Sequence, residues 1–150
     1  MTLIENIIEQ MKAKDIPYEI FNHVPVYTNP TMAEALNVSE SETVKSLVLK
    51  TKEKETIVLV MPGDKKVNWK QAAAGMNTKK VSFAKPHEVQ EMVGCEVGCV
   101  PPFGHLSALP VYMDPDMLNS EYVYFNPGVH NQSIKLASRD LQKLCAPQML

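Results

Sequence analysis

At 150 residues and 16.8 kDa the chain favours a single domain spanning residues 1–150, large enough to bury a full core. Its 45% apolar and 21% charged residues argue against wholesale disorder, and no apolar run approaches the roughly 20 residues of a membrane-spanning helix. The formal net charge of −2 argues, as an average, against a nucleic-acid partner, and three cysteines without a dense framework point to reduced thiols and a cytoplasmic setting.

The N-terminus alternates apolar and acidic residues, unlike a secretory signal. Leu3, Ile4, Ile7, Ile8 and Met11 recur at helical spacing over residues 2–14, with Thr2 and Glu5 as a capping box. Pro17 closes that connection and Tyr18–Phe21 reads as a strand. Pro30 stands just before a second helix, Thr31–Leu36. Two strong strands follow, Val44–Lys50 and Thr56–Met61, with the charged turn Thr51–Glu55 between them. Asn68 caps a helix through Ala74 that Gly75 ends; Val81–Ala84 is a strand and Pro86–Met92 a helix. From Gly94 the segment GCEVGCVPPFGH is too rich in glycine and proline for a regular element. Leu109–Met113, Tyr122–Phe125 and Ser133–Leu136 are strands, Ser138 opens a helix over Arg139–Leu144, and CAPQML reads as a frayed tail. The pattern is a mixed α/β (α+β) single domain with helices interspersed among at least six short strands.

The net charge hides an asymmetry. Residues 45–85 carry ten lysines against Glu53, Glu55 and Asp64, a net +7, while the remainder carries a net −9. Such a segment can attract a polyanion locally, or can be a set of solvated strand ends. In VKSLVLK, Lys45 shares a strand face with Leu47 and Leu49, and both faces are largely apolar, so the strand should be central and covered on both sides. A lysine there either snorkels to an edge or serves an anionic ligand. The Gly94–Gly104 loop can present backbone N–H groups to a carbonyl oxygen or be a rigid turn. After the Asn126-Pro127-Gly128 turn, His130 can bind a ligand, orient a water or donate to a carbonyl.

Competing constellations are weaker. Cys95 and Cys99 with His87 or His105 lack the second ligand pair of a zinc site, and nothing activates a thiol to act with His130. GxSxG, GxGxxG and Walker A loops are absent from the sequence. Trp69 and the nine methionines read as packing.

Three segments in order, VKSLVLK, GCEVGCVPPFGH and YFNPGVHNQSIKLASRDL, together resemble the YbaK family of free-standing aminoacyl-tRNA deacylases, similar to the editing domain of bacterial prolyl-tRNA synthetases. The His23–Thr28 stretch resembles the family's HxPVxT segment. The resemblance implies a central mixed β-sheet flanked by helices and a cleft for the aminoacylated 3′ end of tRNA. It implies trans-editing: metal-independent hydrolysis of the ester joining a wrong amino acid, alanine or cysteine, to tRNA, commonly tRNAPro. Prolyl-tRNA synthetase is a further implied partner, with no cofactor and no metal.

In site residues the resemblance implies Lys45, Gly98 and His130 as the catalytic set. Lys45 would anchor the terminal phosphate or the carbonyl side of the ester. Gly98 and neighbouring N–H groups would hold the oxyanion, and His130 would select the amino acid or place the water. Ser46, Cys99, Val100, Pro101, Pro102, Phe103, Gly104, Gly128 and Asn131 would line the substrate pocket. Ser46 departs from the asparagine of the alanine-specific branch, Cys99 from a glycine of many relatives, and Pro101 from a frequent serine. The rival reading is a non-catalytic tRNA- or synthetase-binding module of the same fold.

Overall fold

Thr2 closes the first turn of the N-terminal helix: its hydroxyl accepts from the Glu5 N–H at 3.2 Å and donates to the Glu5 carboxylate at 2.9 Å. In a computed structural model that describes residues 2–103 and 108–150, this helix, α1, spans Leu3–Ala13 and buries Ile7 and Met11 completely. After β1 (Glu19–Asn22), Thr28 caps α2 (Asn29–Leu36), where Pro30 occupies the first turn and no N–H is missed.

β2 (Val44–Thr51) and β3 (Thr56–Pro62) form an antiparallel hairpin with Lys45 opposite Met61. Asn68 accepts from the Gln71 N–H at 3.1 Å to start α3 (Trp69–Gly75). Next come β4 (Val81–Phe83), α4 (Pro86–Val93), β5 (Val111–Met113), β6 (Tyr122–Phe125), β7 (Gln132–Ala137), α5 (Ser138–Cys145) and β8 (Gln148–Met149). Among the described residues two short 3₁₀ turns, Glu40–Glu42 and Pro115–Asn119, add to the predicted elements.

The strands form a five-stranded mixed sheet, order β4-β2-β3-β5-β8, and a three-stranded antiparallel sheet, order β1-β7-β6. Among the described residues one isolated bridge, Thr43 to Tyr124, joins them. β2 is internal at its C-terminal half, and the large sheet is covered on both faces as its sequence predicts. On one face Leu49, Ile57, Leu59 and Met61 pack on Ala72, Ala73 and Met76 of α3 and its end. On the other, Val58, Val60, Val111 and Met113 meet α1, α5 and the small sheet through Ile7, Met11, Leu141, Phe125 and Ile134. Each fully buried side chain of this size stabilises the fold by about 1.5–3 kcal/mol relative to exposure.

The C-terminal tail corrects the expectation of fraying. Tyr112 pairs with Gln148 and Met113 with Met149 in parallel, and the Leu150 N–H donates to the Met113 carbonyl at 2.9 Å. Leu150 packs with the α3 side of the sheet, so burial of one terminal leucine holds a strand too short to carry a pattern.

Candidate active site

The cleft exists because β4 is short. β4 pairs with β2 only from Leu49 to Thr51, leaving the β2 edge before Val48 without a strand neighbour on that side among the described residues. Two of the edge carbonyls are occupied: Ala84 N–H donates to Val48 O at 3.0 Å and Asn29 Nδ2 to Val44 O at 3.2 Å. Ser46 lies between them. Its partner Val60 turns its backbone toward β5, accepting from Asp114 N–H at 2.9 Å, so alternation sends the Ser46 N–H and C=O to the open side. A cavity of about 720 Å³ lies along this edge.

Lys45, Ser46, Leu47 and Val48 form its floor, Val26, Thr28 and Asn29 one wall, and Gly98 and Val100 another. Lys45 is half-buried, and its Nζ donates to the Lys65 carbonyl at 2.7 Å. It has no carboxylate partner among the described residues. An ammonium has three donors, so two remain for a ligand. Lys65 itself is clamped, with Nζ 2.6 Å from Asp114 Oδ2 and 2.9 Å from Asp116 Oδ2. Those two carboxylates hold its pKa above the ordinary lysine value, and Lys65 in turn lowers that of Asp116. The carbonyl that receives Lys45 is thereby fixed to the β5 end of the sheet.

Gly98 is exposed at φ +96°, a left-handed conformation, and a Cβ there would lie 3.1 Å from the Tyr27 carbonyl. No protein group among the described residues takes its N–H. Ser46, Gly98 and Val100 thus line the same cavity as Lys45.

Other predicted residues lie elsewhere. The His130 ring does not line the cavity; it backs the wall from outside. Its Nδ1 lies 3.0 Å from Val26 O, its Nε2 3.2 Å from Glu96 Oε2, and its ring is 4.3 Å from that of Tyr27. The Val26 N–H also donates to His130 O at 3.0 Å. Of the three uses open to this histidine from sequence, the structure shows donation to a carbonyl, since Val26 O can only accept. Cys99 sits in an apolar cluster with Val48, Ala84 and Val89. Pro101 and Pro102 are buried, and Phe103 packs edge-on against Phe125 at 5.2 Å in the main core. A Cβ on Gly128 would lie 2.8 Å from Leu3 Cδ2, so that glycine faces α1. Asn131, exposed, uses its carbonyl to accept from His23 N–H at 3.0 Å. The short spacing between these residues and the glycine loop invites a common pocket, but the apolar members satisfy the core first. Gly104 and His105 lie outside the described residues.

Sequence reasoning passed over Thr28, Asn29, Asn126 and Gly63, which line the cleft, and read Trp69 as packing although it is 38% exposed at the cavity. The HxPVxT stretch is the signal that contains Thr28; the lysine-rich surroundings of Trp69 are the signal for the other.

No group of three or more His, Cys, Asp or Glu among the described residues is placed to hold a metal, and no described helix is long and apolar enough to cross a membrane. All three cysteines are free and buried. Burial pushes the Cys95 thiol up to about 11 and raises those of Cys99 and Cys145 as well. We therefore expect the native protein to react with a thiol reagent at pH 8 at least about two orders of magnitude slower than the unfolded chain. Fast native labelling of any cysteine would contradict this burial.

The chain is similar to the multifunctional Ser/Thr-tRNA deacylase ProXp-y of Escherichia coli (strain K12), 23% identical over 150 residues, covering 97% of this chain and 90% of that one. It is also similar to the prolyl-tRNA editing protein ProX of Acetoanaerobium sticklandii, 26% identical over 143 residues, 92% and 87% of the two chains. Among solved structures it is similar to the hypothetical protein APE2540, with TM-score 0.82, 29% identity and 95% of each chain covered. Residues 23–144 match the family model described as the aminoacyl-tRNA editing domain, and with the open β2 edge, Lys45 and Gly98 all inside that span, the chain belongs to the aminoacyl-tRNA editing family and is an enzyme, a hydrolase of the aminoacyl ester.

Proposed function

We propose that this protein edits in trans, hydrolysing the ester of a small wrong amino acid, alanine or cysteine, on tRNAPro, in partnership with prolyl-tRNA synthetase. The observation that carries this reading is the grouping around one cleft of Lys45, the Ser46 backbone and the Gly98 N–H, which no described residue accepts. An aminoacyl ester is already activated, so positioning and charge stabilisation are the main demands on the protein. Lys45 anchors the phosphate or the carbonyl side, and the Gly98 N–H faces the oxygen that gains charge. Water attacks the ester carbonyl carbon and the bond to the ribose oxygen breaks. The neighbouring ribose hydroxyl relays the water's proton to that leaving oxygen, freeing the amino acid and intact tRNA. His130 contributes as a positioning residue, holding Val26 and Tyr27 at the wall.

The test is a deacylation panel on a tRNAPro minihelix charged separately with alanine, cysteine, serine, threonine or proline, with and without a chelator. Alanyl or cysteinyl ester should be cleaved fastest, proline spared, and the rates should survive chelation. The name of the E. coli relative makes serine and threonine the rival outcome. Binding of the minihelix without turnover of any ester would favour the non-catalytic module instead.

A further inference from the structure

Two aromatic rings stand at the cleft that neither the core nor the ester chemistry uses. Trp69, the first residue of α3, is 38% exposed, and Phe83, the last of β4, is 59% exposed. Their rings meet edge to face at 5.0 Å, and both line the cavity that holds Lys45. A soluble protein gains nothing by leaving two such rings in water, since burying either would be favourable. Nor is the pair a gap in the fold: the apolar face of α3 already packs through Ala72 and Ala73.

Charge says what covers them. Lys66 lines the same cavity, Lys70 follows Trp69 directly, and Lys85 lies two residues beyond Phe83; all three are exposed and none has an ion-pair partner among the described residues. Asp64 and Glu40 are the acidic groups on the cavity lining. An exposed apolar partner protein would be served by the rings but not by the unpaired lysines. Aromatic faces interleaved with free cations are the pattern that takes single-stranded nucleic acid, bases stacking while phosphates meet the ammonium groups.

We propose that Trp69 and Phe83 form a stacking platform for a base of the single-stranded RNA 3′ end, with Lys66, Lys70 and Lys85 receiving the flanking phosphates. This rests on the deacylase reading for the choice of RNA, and it adds a base-binding subsite to it. Stacking tolerates any base, so the platform supplies affinity and register, and the ester is delivered toward Lys45 from one fixed side.

Trp69 is the only tryptophan in the chain, so its fluorescence reports on the platform directly. The probes are an uncharged RNA minihelix with a four-nucleotide 3′ overhang and the same molecule with an abasic terminal nucleotide. Both carry equal charge. The full minihelix is expected to quench Trp69, while the abasic one binds about tenfold weaker with much less quenching. Phe83→Ala should weaken the full minihelix about tenfold and leave the abasic one nearly unchanged; Phe83→Tyr should restore binding. Equal affinity and equal quenching for the two probes would overturn the platform. So would self-association of the free protein that Phe83→Ala abolishes, since the rings would then face a second copy. Because the probes are uncharged, failure here is separable from failure of the deacylase reading. Base-dependent quenching without ester hydrolysis keeps the platform and removes the deacylase; hydrolysis without it removes the platform alone.

Discussion

Replacing Lys45 with alanine is expected to lower the single-turnover deacylation rate by at least about two orders of magnitude, the scale of one lost electrostatic contact at a reacting centre. Lys45 enters the cleft from a strand whose neighbours on the same face, Leu47 and Leu49, point into apolar packing. Among the described residues its ammonium makes one hydrogen bond, to a backbone carbonyl, so its charge is aligned by the protein yet not neutralised by it. The melting temperature of Lys45→Ala should stay within a few degrees of the parent, because the lost bond is worth about 1 kcal/mol and the unfavourable partial burial of a charge goes with it. Arginine at this position should not restore the rate, since its planar fork cannot reach Lys65 O in the same way. A stable, fully active Lys45→Ala protein would remove Lys45 from the mechanism.

The largest expected loss of stability comes from Gly63→Ala. Gly63 is buried at the end of the β2–β3 hairpin, and its N–H donates to Thr43 O at 2.8 Å. A methyl group there would lie 2.8 Å from Asn29 Nδ2 and 2.9 Å from Glu40 O, and closer still to the Thr43 hydroxyl. That hydroxyl is committed: it donates to Glu40 O at 2.7 Å and accepts from Asn29 Nδ2 at 3.0 Å. Thr43 is fully buried and forms the bridge to Tyr124 that joins the two sheets. Overpacking costs about 1–3 kcal/mol and a buried hydroxyl left without its partners about as much again, so a loss of about 3 kcal/mol is expected. Against a typical total of about 5–15 kcal/mol this is a large share, and it lowers the melting temperature by roughly 6–12 °C. Urea titration should show a lower midpoint with an unchanged slope. The double variant with Thr43→Ala should recover part of the loss, because the two changes compete for one space. A midpoint equal to the parent's would show that α2 can give way there.

Much of the fold was legible where local rules suffice. Thr2 and Asn68 each announce a helix start by a capping side chain and Pro30 marks the start of α2, whose cap the structure shows to be Thr28, while the β2–β3 hairpin is written in alternation and a charged turn. The family named from three ordered motifs is the one the comparisons return. Lys45 and the Gly98 loop stand out from the residues alone, as a lysine on an apolar strand and a glycine-proline cluster, whereas Ser46 and Val100 enter only through the resemblance; all four line the cleft. Pro101, Pro102 and Phe103 were not separable from them by position, since burial depends on Phe125, far along the chain. The sheet partner of Gln148 and Met149 was invisible for the same reason, and so was the meeting of Trp69 with Phe83 at the cleft. In each case the missing information was which distant segment arrives first at a surface.

The pairing of β1 with β7 brings Glu19 beside Lys135 and Asn22 beside Gln132, and the same contact continues through His130 to Val26. The β2–β3 hairpin needs only a five-residue closure and forms within microseconds, whereas joining β1 to β7 closes a loop of more than a hundred residues. During synthesis at about 5–20 residues per second, the Val26–Thr28 wall therefore waits, for many seconds after β1 has left the ribosome, until β7 emerges. A nascent chain can hold its lysine floor long before it holds a pocket. The cleft is thus without one of its walls until the chain has been translated through Ala137.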